Sequence, residues 1–124
     1  MKLNEQELCA VIKMAKAMTM ADGSIDLSEV KVLRKELMRL GVPDSNVESV
    51  LEKADVLTPA GALFSIAAMD EEKKRYVAAL LGTILIIDGD VDDDELKLWR
   101  FTSEICSLPT MSIGEAVLYL DNWA

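Results

Sequence analysis

Histidine is absent from this 124-residue sequence, and only two cysteines occur. The missing imidazole removes the side chain most often used as a general base near neutral pH, and it argues against a zinc site. Cys9 and Cys106 are far apart and fit no metal-ligand spacing. We therefore expect two buried thiols in a reducing, cytoplasmic compartment, although spacing alone leaves a disulfide open.

Aromatic side chains are also scarce, at 5% of the residues, whereas 51% are hydrophobic. The core must therefore consist mainly of Leu, Ile, Val, Ala and Met, a mixture that favours helices. The aromatic residues near the C-terminus are predicted to lie in the core or at its edge: Trp99, Phe101, Tyr119 and Trp123. No Gly-rich phosphate loop and no recognisable nucleophile motif is present, so the sequence predicts a protein that is not an enzyme.

Basic residues are outnumbered, with 13 Lys and Arg against 22 Asp and Glu and a net charge of −9. This charge repels a nucleic-acid backbone and an anionic membrane surface, and it favours cations and basic proteins as partners. The first residues lack the apolar segment of a signal peptide, so we expect neither secretion nor direct membrane insertion. The longest apolar run, 76–87, is too short to span a bilayer. It predicts a buried core helix, with a homodimer interface as the alternative.

Seven amphipathic or apolar segments with capping residues at their starts predict an all-α bundle without strands. The predicted capping residues are Asn4, Asp26, Ser45, Thr58, Asp70, Asp92 and Ser112. The connections are short and no flexible linker is present, which indicates a single domain over residues 1–124. A 66-residue internal repeat divides it into halves of approximately 4–56 and 70–122, and this predicts a pseudo-twofold organisation.

The repeat is sharpest in an acidic phrase, Asp-Gly-x-(Ile/Val)-Asp-x-x-Glu, that occurs twice. The first copy runs from Asp22 to Glu29 and the second from Asp88 to Glu95. The candidate metal ligands in these two turns are Asp22, Asp26, Glu29, Asp88, Asp90, Asp92 and Glu95. In the second copy, Asp93 and Asp94 add further negative charge.

Three interpretations of the acidic phrase are open. The second Asp and the Glu of each copy have capping-box spacing, so the phrase can serve only to start a helix. Carboxylate and carbonyl oxygens are also the ligands that Ca²⁺ and Mg²⁺ prefer. An exposed acidic turn equally suits a basic protein partner. An EF-hand is excluded, because counting from Asp88 places the required Gly at Asp93 and the bidentate Glu at Trp99.

The segment from Met20 to Glu29, its counterpart from Ile87 to Glu95 and the all-helical pattern resemble the TerB-like superfamily. That group includes the tellurite-resistance protein TerB and the N-terminal domain of DjlA-type co-chaperones. The resemblance covers nearly the whole chain, although Ile87 stands where an Ala usually precedes the acidic phrase. It implies a bundle of about seven helices, acidic clusters that hold divalent metal, and a role in bacterial stress systems with protein partners.

These observations together predict a cytoplasmic, non-enzymatic, TerB-like domain of the tellurite-resistance or stress-response type. Such a domain binds a divalent cation, Ca²⁺ or Mg²⁺, or a basic protein partner through the duplicated acidic turns. The alternative is a structural protein–protein interaction module of the co-chaperone type, in which the acidic turns are only helix caps.

Overall fold

Seven α-helices make up the described part of the chain. The structure is a computed structural model, which describes residues 2–19, 27–87 and 93–123 and, for residues 19 and 27–29, the backbone alone. The helices are α1 (Glu5–Thr19), α2 (Leu27–Arg39), α3 (Asp44–Val56), α4 (Pro59–Ala67), α5 (Glu71–Leu85), α6 (Asp93–Ile105) and α7 (Ile113–Asn122). These ranges contain no strand, which confirms the predicted all-α class.

The internal repeat is visible in the helix bounds. Helices α5 and α6 begin and end 66 residues after α1 and α2. The turns that follow α2 and α6 also correspond, since Gly41 and Ser107 both have positive φ angles, of 98° and 53°. In each turn the next amide donates to a carbonyl five residues earlier, as in a Schellman-type helix end. The predicted pseudo-twofold repeat is therefore present in the backbone as well as in the sequence.

Most of the predicted helix starts are confirmed by their hydrogen bonds. Asn4 and Glu7 exchange side-chain and backbone bonds at the start of α1, and Ser112 and Glu115 do the same at α7. The side chains of Thr58 and Asp70 accept bonds from the amides three residues on. The prediction of Ser45 as a cap was wrong, because α3 already begins at Asp44, directly after Pro43. Proline fixes the φ angle that leads into this helix, here −61°, without any side-chain cap.

Helix α5 forms the centre of the bundle. All ten residues from Tyr76 to Leu85 are buried, and the helix packs against α1, α4, α6 and α7. One continuous hydrophobic cluster contains buried residues from both halves of the repeat. The run 76–87 is therefore core, and the alternative that this helix forms a dimer interface was wrong. None of the helices in the described ranges is both long and apolar enough to cross a membrane.

Gly82 marks the closest approach of α5 to α6 and α7. A Cβ atom at this position would lie 2.8 Å from Cβ of Ala116 and 2.9 Å from Cζ2 of Trp99. Inside a helix, Ala stabilises the folded state by about 1 kcal/mol relative to Gly. Overpacking of a core, however, destabilises the folded state by roughly 1–3 kcal/mol. We expect Gly82→Ala to lower the free energy of unfolding, measured by urea titration, by about 1–2 kcal/mol.

Gly114 in α7 provides a matched control for this substitution. It is exposed, and the nearest atom to an added Cβ is Oγ of Ser112 at 3.9 Å. Gly114→Ala should therefore follow the intrinsic helix preference and leave stability unchanged or raised by up to about 1 kcal/mol. Equal effects of the two substitutions would show that the contact of α5 with Trp99 and Ala116 is not tight.

Candidate functional site

The two acidic turns connect equivalent helices in the two halves of the repeat. The first lies between α1 and α2 in the chain, and the second lies between α5 and α6. Most of the candidate ligands lie outside the described residues: Asp22, Asp26, Asp88, Asp90 and Asp92. Of the remaining two, Glu29 has a described backbone and Glu95 has a described side chain.

Glu29 and Glu95 occupy the same position in their helices. Each is the third residue, because α2 begins at Leu27 and α6 at Asp93. In a capping box the third helical residue is the one whose side chain returns to the backbone at the helix start. The positions of the two glutamates therefore agree with the capping interpretation, and they place both acidic phrases at the entry to a helix.

Glu95 is buried, unlike the two acidic residues that precede it in α6. It is 3% exposed, whereas Asp93 and Asp94 beside it are exposed. Glu95 and Asp94 both take part in polar or electrostatic interactions with neighbouring groups. A buried carboxylate needs such interactions, since an isolated charge in an apolar surrounding is strongly unfavourable. One candidate ligand is therefore held inside the protein and not in solvent.

The helices that lead into the two acidic turns meet at their N-terminal ends. Nζ of Lys73 in the first turn of α5 lies 3.1 Å from both carboxylate oxygens of Glu7 in the first turn of α1. These two residues are equivalent in the repeat, so the pseudo-twofold axis passes between them. The other end of each of these 15-residue helices, after which the chain continues toward an acidic phrase, lies about 22 Å from this shared start.

No group of three or more Asp, Glu or Cys side chains is placed to hold a metal ion within residues 2–19, 27–87 and 93–123. Five of the seven candidate ligands lie outside those ranges. The divalent-cation site at the duplicated turns, with Ca²⁺ or Mg²⁺ as its ion, therefore stays a prediction.

A buried polar network that sequence reasoning missed links α2, α5 and α7. The hydroxyl of Tyr76 donates to Oε1 of Glu36 at 2.8 Å, and Nη1 of Arg39 donates to Oε2 of the same carboxylate at 2.8 Å. Arg39 also donates to the carbonyls of Leu120, at 3.0 Å, and Trp123. Its guanidinium carbon lies 5.0 Å from the centre of the Trp123 ring. The network thus ties the end of α2 to the end of α7.

The electrostatics of this network favour a protonated phenol. Burial and the negative charge of Glu36 raise the pKa of Tyr76 well above its ordinary value. Tyr76 is fully buried and Glu36 is 3% exposed, so the hydrogen bond between them is shielded from water. A phenol with a raised pKa keeps its proton, so Tyr76 is a poor general acid and is not available as a phenolate base near neutral pH, and the geometry supports a structural role for these groups.

The network exists in only one half of the repeat. The positions equivalent to Glu36 and Tyr76 hold Thr102 and Ala10. Thr102 is fully buried, and its hydroxyl is the only fully enclosed side-chain polar atom without a hydrogen-bond partner in the part of the chain that the structure describes. At the equivalent pair of positions, Ala10 stands in place of the tyrosine. It has no hydroxyl that could donate a hydrogen bond to Thr102.

An open groove of about 490 Å³ separates α6 from α7. It exists because the third helix of the second half starts later: α7 begins at Ile113, whereas the start of α3 at Asp44 corresponds to Thr110. Residues 108–112 are not helical, and they form one wall of the open space between α6 and α7. The groove is lined mainly by Leu96, Trp99, Arg100, Pro109 and Met111. No convergent set of charged groups lies in it that would select a particular ligand.

The two thiols are buried and unpaired, as expected from their spacing. Burial raises the pKa of both Cys9 and Cys106, so the reactive thiolate is disfavoured at each. Sγ of Cys106 lies 3.3 Å from the carbonyl oxygen of Leu63, where it can donate a weak hydrogen bond between α6 and α4. These properties are those of structural cysteines and not of nucleophiles.

Comparison with known proteins finds one informative relative. No protein-family model matches the chain, and no curated protein matches it. A crystal structure of a protein of unknown function from Porphyromonas gingivalis is similar, with 47% sequence identity and a TM-score of 0.88. The alignment covers 98% of this chain and 92% of that protein. At this identity and coverage the two proteins share both fold and descent.

Proposed function

The chain belongs to the same family as the Porphyromonas gingivalis protein of unknown function, and from this premise we propose a function for its duplicated turns. The proposed function is that of a non-enzymatic, cytoplasmic, TerB-like domain that binds a divalent cation, Ca²⁺ or Mg²⁺, in a bacterial stress response. The observation that carries the proposal is the placement of the two acidic phrases. Each phrase leads into the equivalent helix of a structural repeat, so equivalent carboxylates recur at equivalent positions in the chain.

The charge density of the second turn supports cation binding. Six carboxylates occur within the eight residues from Asp88 to Glu95, with no basic residue among them. Such crowding is unfavourable unless the charges are solvated or neutralised. A hard divalent cation provides neutralisation and takes the oxygen ligands that this segment offers.

The groups that could support catalysis are few and unsuited to it. The sequence has no His, and both thiols are buried with raised pKa values. Tyr76 is likewise buried with a raised pKa. These properties support a binding function over an enzymatic one.

The second candidate function is a structural interaction module whose acidic turns only cap helices. It is favoured by the positions of Glu29 and Glu95 as third helical residues, where capping glutamates are expected. Under this alternative the acidic turns need no ion, and Asn at the cap position works about as well as Asp. The two candidates therefore differ in their response to divalent ions.

We expect the chelator-treated protein to melt at a higher temperature when Ca²⁺ or Mg²⁺ is added. A ligand present at 100 times its Kd stabilises the folded state by about 2.7 kcal/mol. For a domain of this size that corresponds to a rise in Tm on the order of 10 °C. The measurement is a series of thermal melts with each divalent ion against a monovalent salt of equal ionic strength, since screening also affects an acidic protein.

The double variant Asp26→Asn with Asp92→Asn tests whether the acidic turns carry the response. Cation binding at the turns predicts that this variant loses the ion-dependent rise in Tm while keeping its stability in chelator. Asp121→Asn with Glu52→Gln changes two acids elsewhere on the surface and should leave the response intact. A wild-type protein whose Tm does not respond to any divalent ion would refute the cation proposal and leave helix capping, and a basic protein partner would then be sought.

A further inference from the structure

Helix α4 turns an uncharged, apolar face to the outside of the bundle. No charged residue occurs between positions 56 and 69. Phe64 is 80% exposed, whereas Ala62 and Ile66 on the opposite side of the helix are fully buried. The exposed residues of this outer face are Ala60, Phe64, Ala67 and Ala68. Such a face is unusual on a chain with a net charge of −9.

Helix α6 extends this apolar surface. Phe101 and Ile105 are 51% and 54% exposed and, being four residues apart, lie on one side of the helix. The contact of Cys106 with the carbonyl of Leu63 brings this end of α6 against α4. Through that contact, standard bond geometry places the Cα atoms of Phe64 and Ile105 within about 13 Å of each other. We call this surface the α4–α6 face; it comprises Ala60, Phe64, Ala67, Ala68, Phe101 and Ile105.

The area of the α4–α6 face is that of the largest apolar patch on a typical protein, a patch that is often functional. A phenylalanine presents on the order of 200 Å², so the exposed fractions of Phe64 and Phe101 amount to roughly 260 Å². Ile105 and the three alanines bring the apolar total to on the order of 500 Å². A stable interface buries about 800 Å² per partner, including its polar rim. The α4–α6 face therefore supplies an apolar centre of the size that a dimer needs.

We propose that the α4–α6 face is the interface of a homodimer of this chain. Two copies with a net charge of −9 repel each other over most of their surfaces, and a face without charge at its centre lets them approach. An apolar face is complementary to a second copy of itself, as a twofold contact requires. Lys97 and Glu104 are exposed at its edge on α6, and a twofold contact brings such opposite charges from the two copies together. This inference does not depend on the acidic turns.

Sedimentation equilibrium of the full chain tests the proposal, in buffer with chelator so that no divalent ion contributes. The wild-type protein should have the mass of two chains at high concentration and dissociate on dilution. Phe64→Glu places a charge in each copy at the centre of the face and should raise the dimer Kd at least about 100-fold. Ile105→Glu, at a second position of the face, should act in the same direction.

Leu118→Glu is the matched control, since Leu118 is 63% exposed and lies on α7, away from the face. It should leave the dimer Kd unchanged. Circular dichroism and thermal melts establish that each variant is folded. We expect all of them to fold, because the substituted positions are exposed. A wild-type chain that is monomeric at every concentration overturns the proposal. A Phe64→Glu variant that is folded and still dimeric, or a Leu118→Glu variant that is equally disruptive, overturns it as well.

Discussion

Replacement of Glu36 by Ala is expected to lower the free energy of unfolding by about 3 kcal/mol, although Glu36 touches no candidate ligand site. The substitution removes the acceptor of the Tyr76 hydroxyl and the partner of the Arg39 guanidinium. Breaking a buried ion pair costs roughly 3–5 kcal/mol because the remaining group is left uncompensated. The lower end applies here, since Arg39 keeps its bonds to the carbonyls of Leu120 and Trp123.

Urea unfolding followed by tryptophan fluorescence measures this loss, because Trp123 is part of the network. Glu36→Gln retains an oxygen that accepts the hydrogen bond from Tyr76. Its free energy of unfolding should therefore decrease less than that of Glu36→Ala. Glu52→Ala removes an exposed acid from α3 and should change stability by no more than about 0.5 kcal/mol. If Glu36→Ala behaved like Glu52→Ala, the network would not be a stabilising element of the fold.

The second large effect is a loss of stability at alkaline pH through Tyr76. Burial and the charge of Glu36 raise its pKa in the folded state, so the folded protein keeps the phenolic proton after the unfolded chain has lost it. The stabilisation is complete below the unfolded pKa of about 10 and decreases as pH rises above that value. We expect the contribution of Tyr76 to stability to fall by about 1.4 kcal/mol per pH unit above pH 10.

Comparison with the variant Tyr76→Phe isolates this contribution from every other effect of alkaline pH on stability. The variant is less stable near neutral pH, because Glu36 loses a hydrogen-bond donor. Its stability should nevertheless decrease less steeply with pH than that of the wild-type protein. Chemical unfolding curves at several pH values between about 8 and 11 give both slopes. Parallel slopes for the two proteins would contradict the assignment of the buried phenol.

Local signals in the sequence were sufficient to predict the helical frame. Thr58 with Pro59 and Ser112 with Glu115 mark helix starts by interactions within a few residues, and these interactions are encoded in the order of the chain. Gly41 likewise marks the end of α2 through its positive φ angle. The repeat of 66 residues was sufficient to predict that the two halves have the same helical structure, and this prediction required no tertiary contacts.

Features that depend on contacts between distant helices were not predictable in this way. Glu36 and Tyr76 are 40 residues apart, and only the packing of α2 on α5 brings them together. The sequence did contain one signal that Glu36 is buried. It lies between Leu33 and Leu37, on the side of the helix that the apolar spacing assigns to the core. Phe101 was predicted to lie in the core or at its edge and is half exposed, because the other side of α6 supplies Trp99 and Thr102 to the core.

The ion pair between Glu7 and Lys73 has a consequence for the ancestry of the two halves. Because the two positions are equivalent and lie at the pseudo-twofold axis, an arrangement of two identical halves would place like charges 3.1 Å apart. The opposite charges show that the two halves have diverged at this position. A symmetric assembly of either half alone would bring two like charges together there and would be disfavoured at its centre.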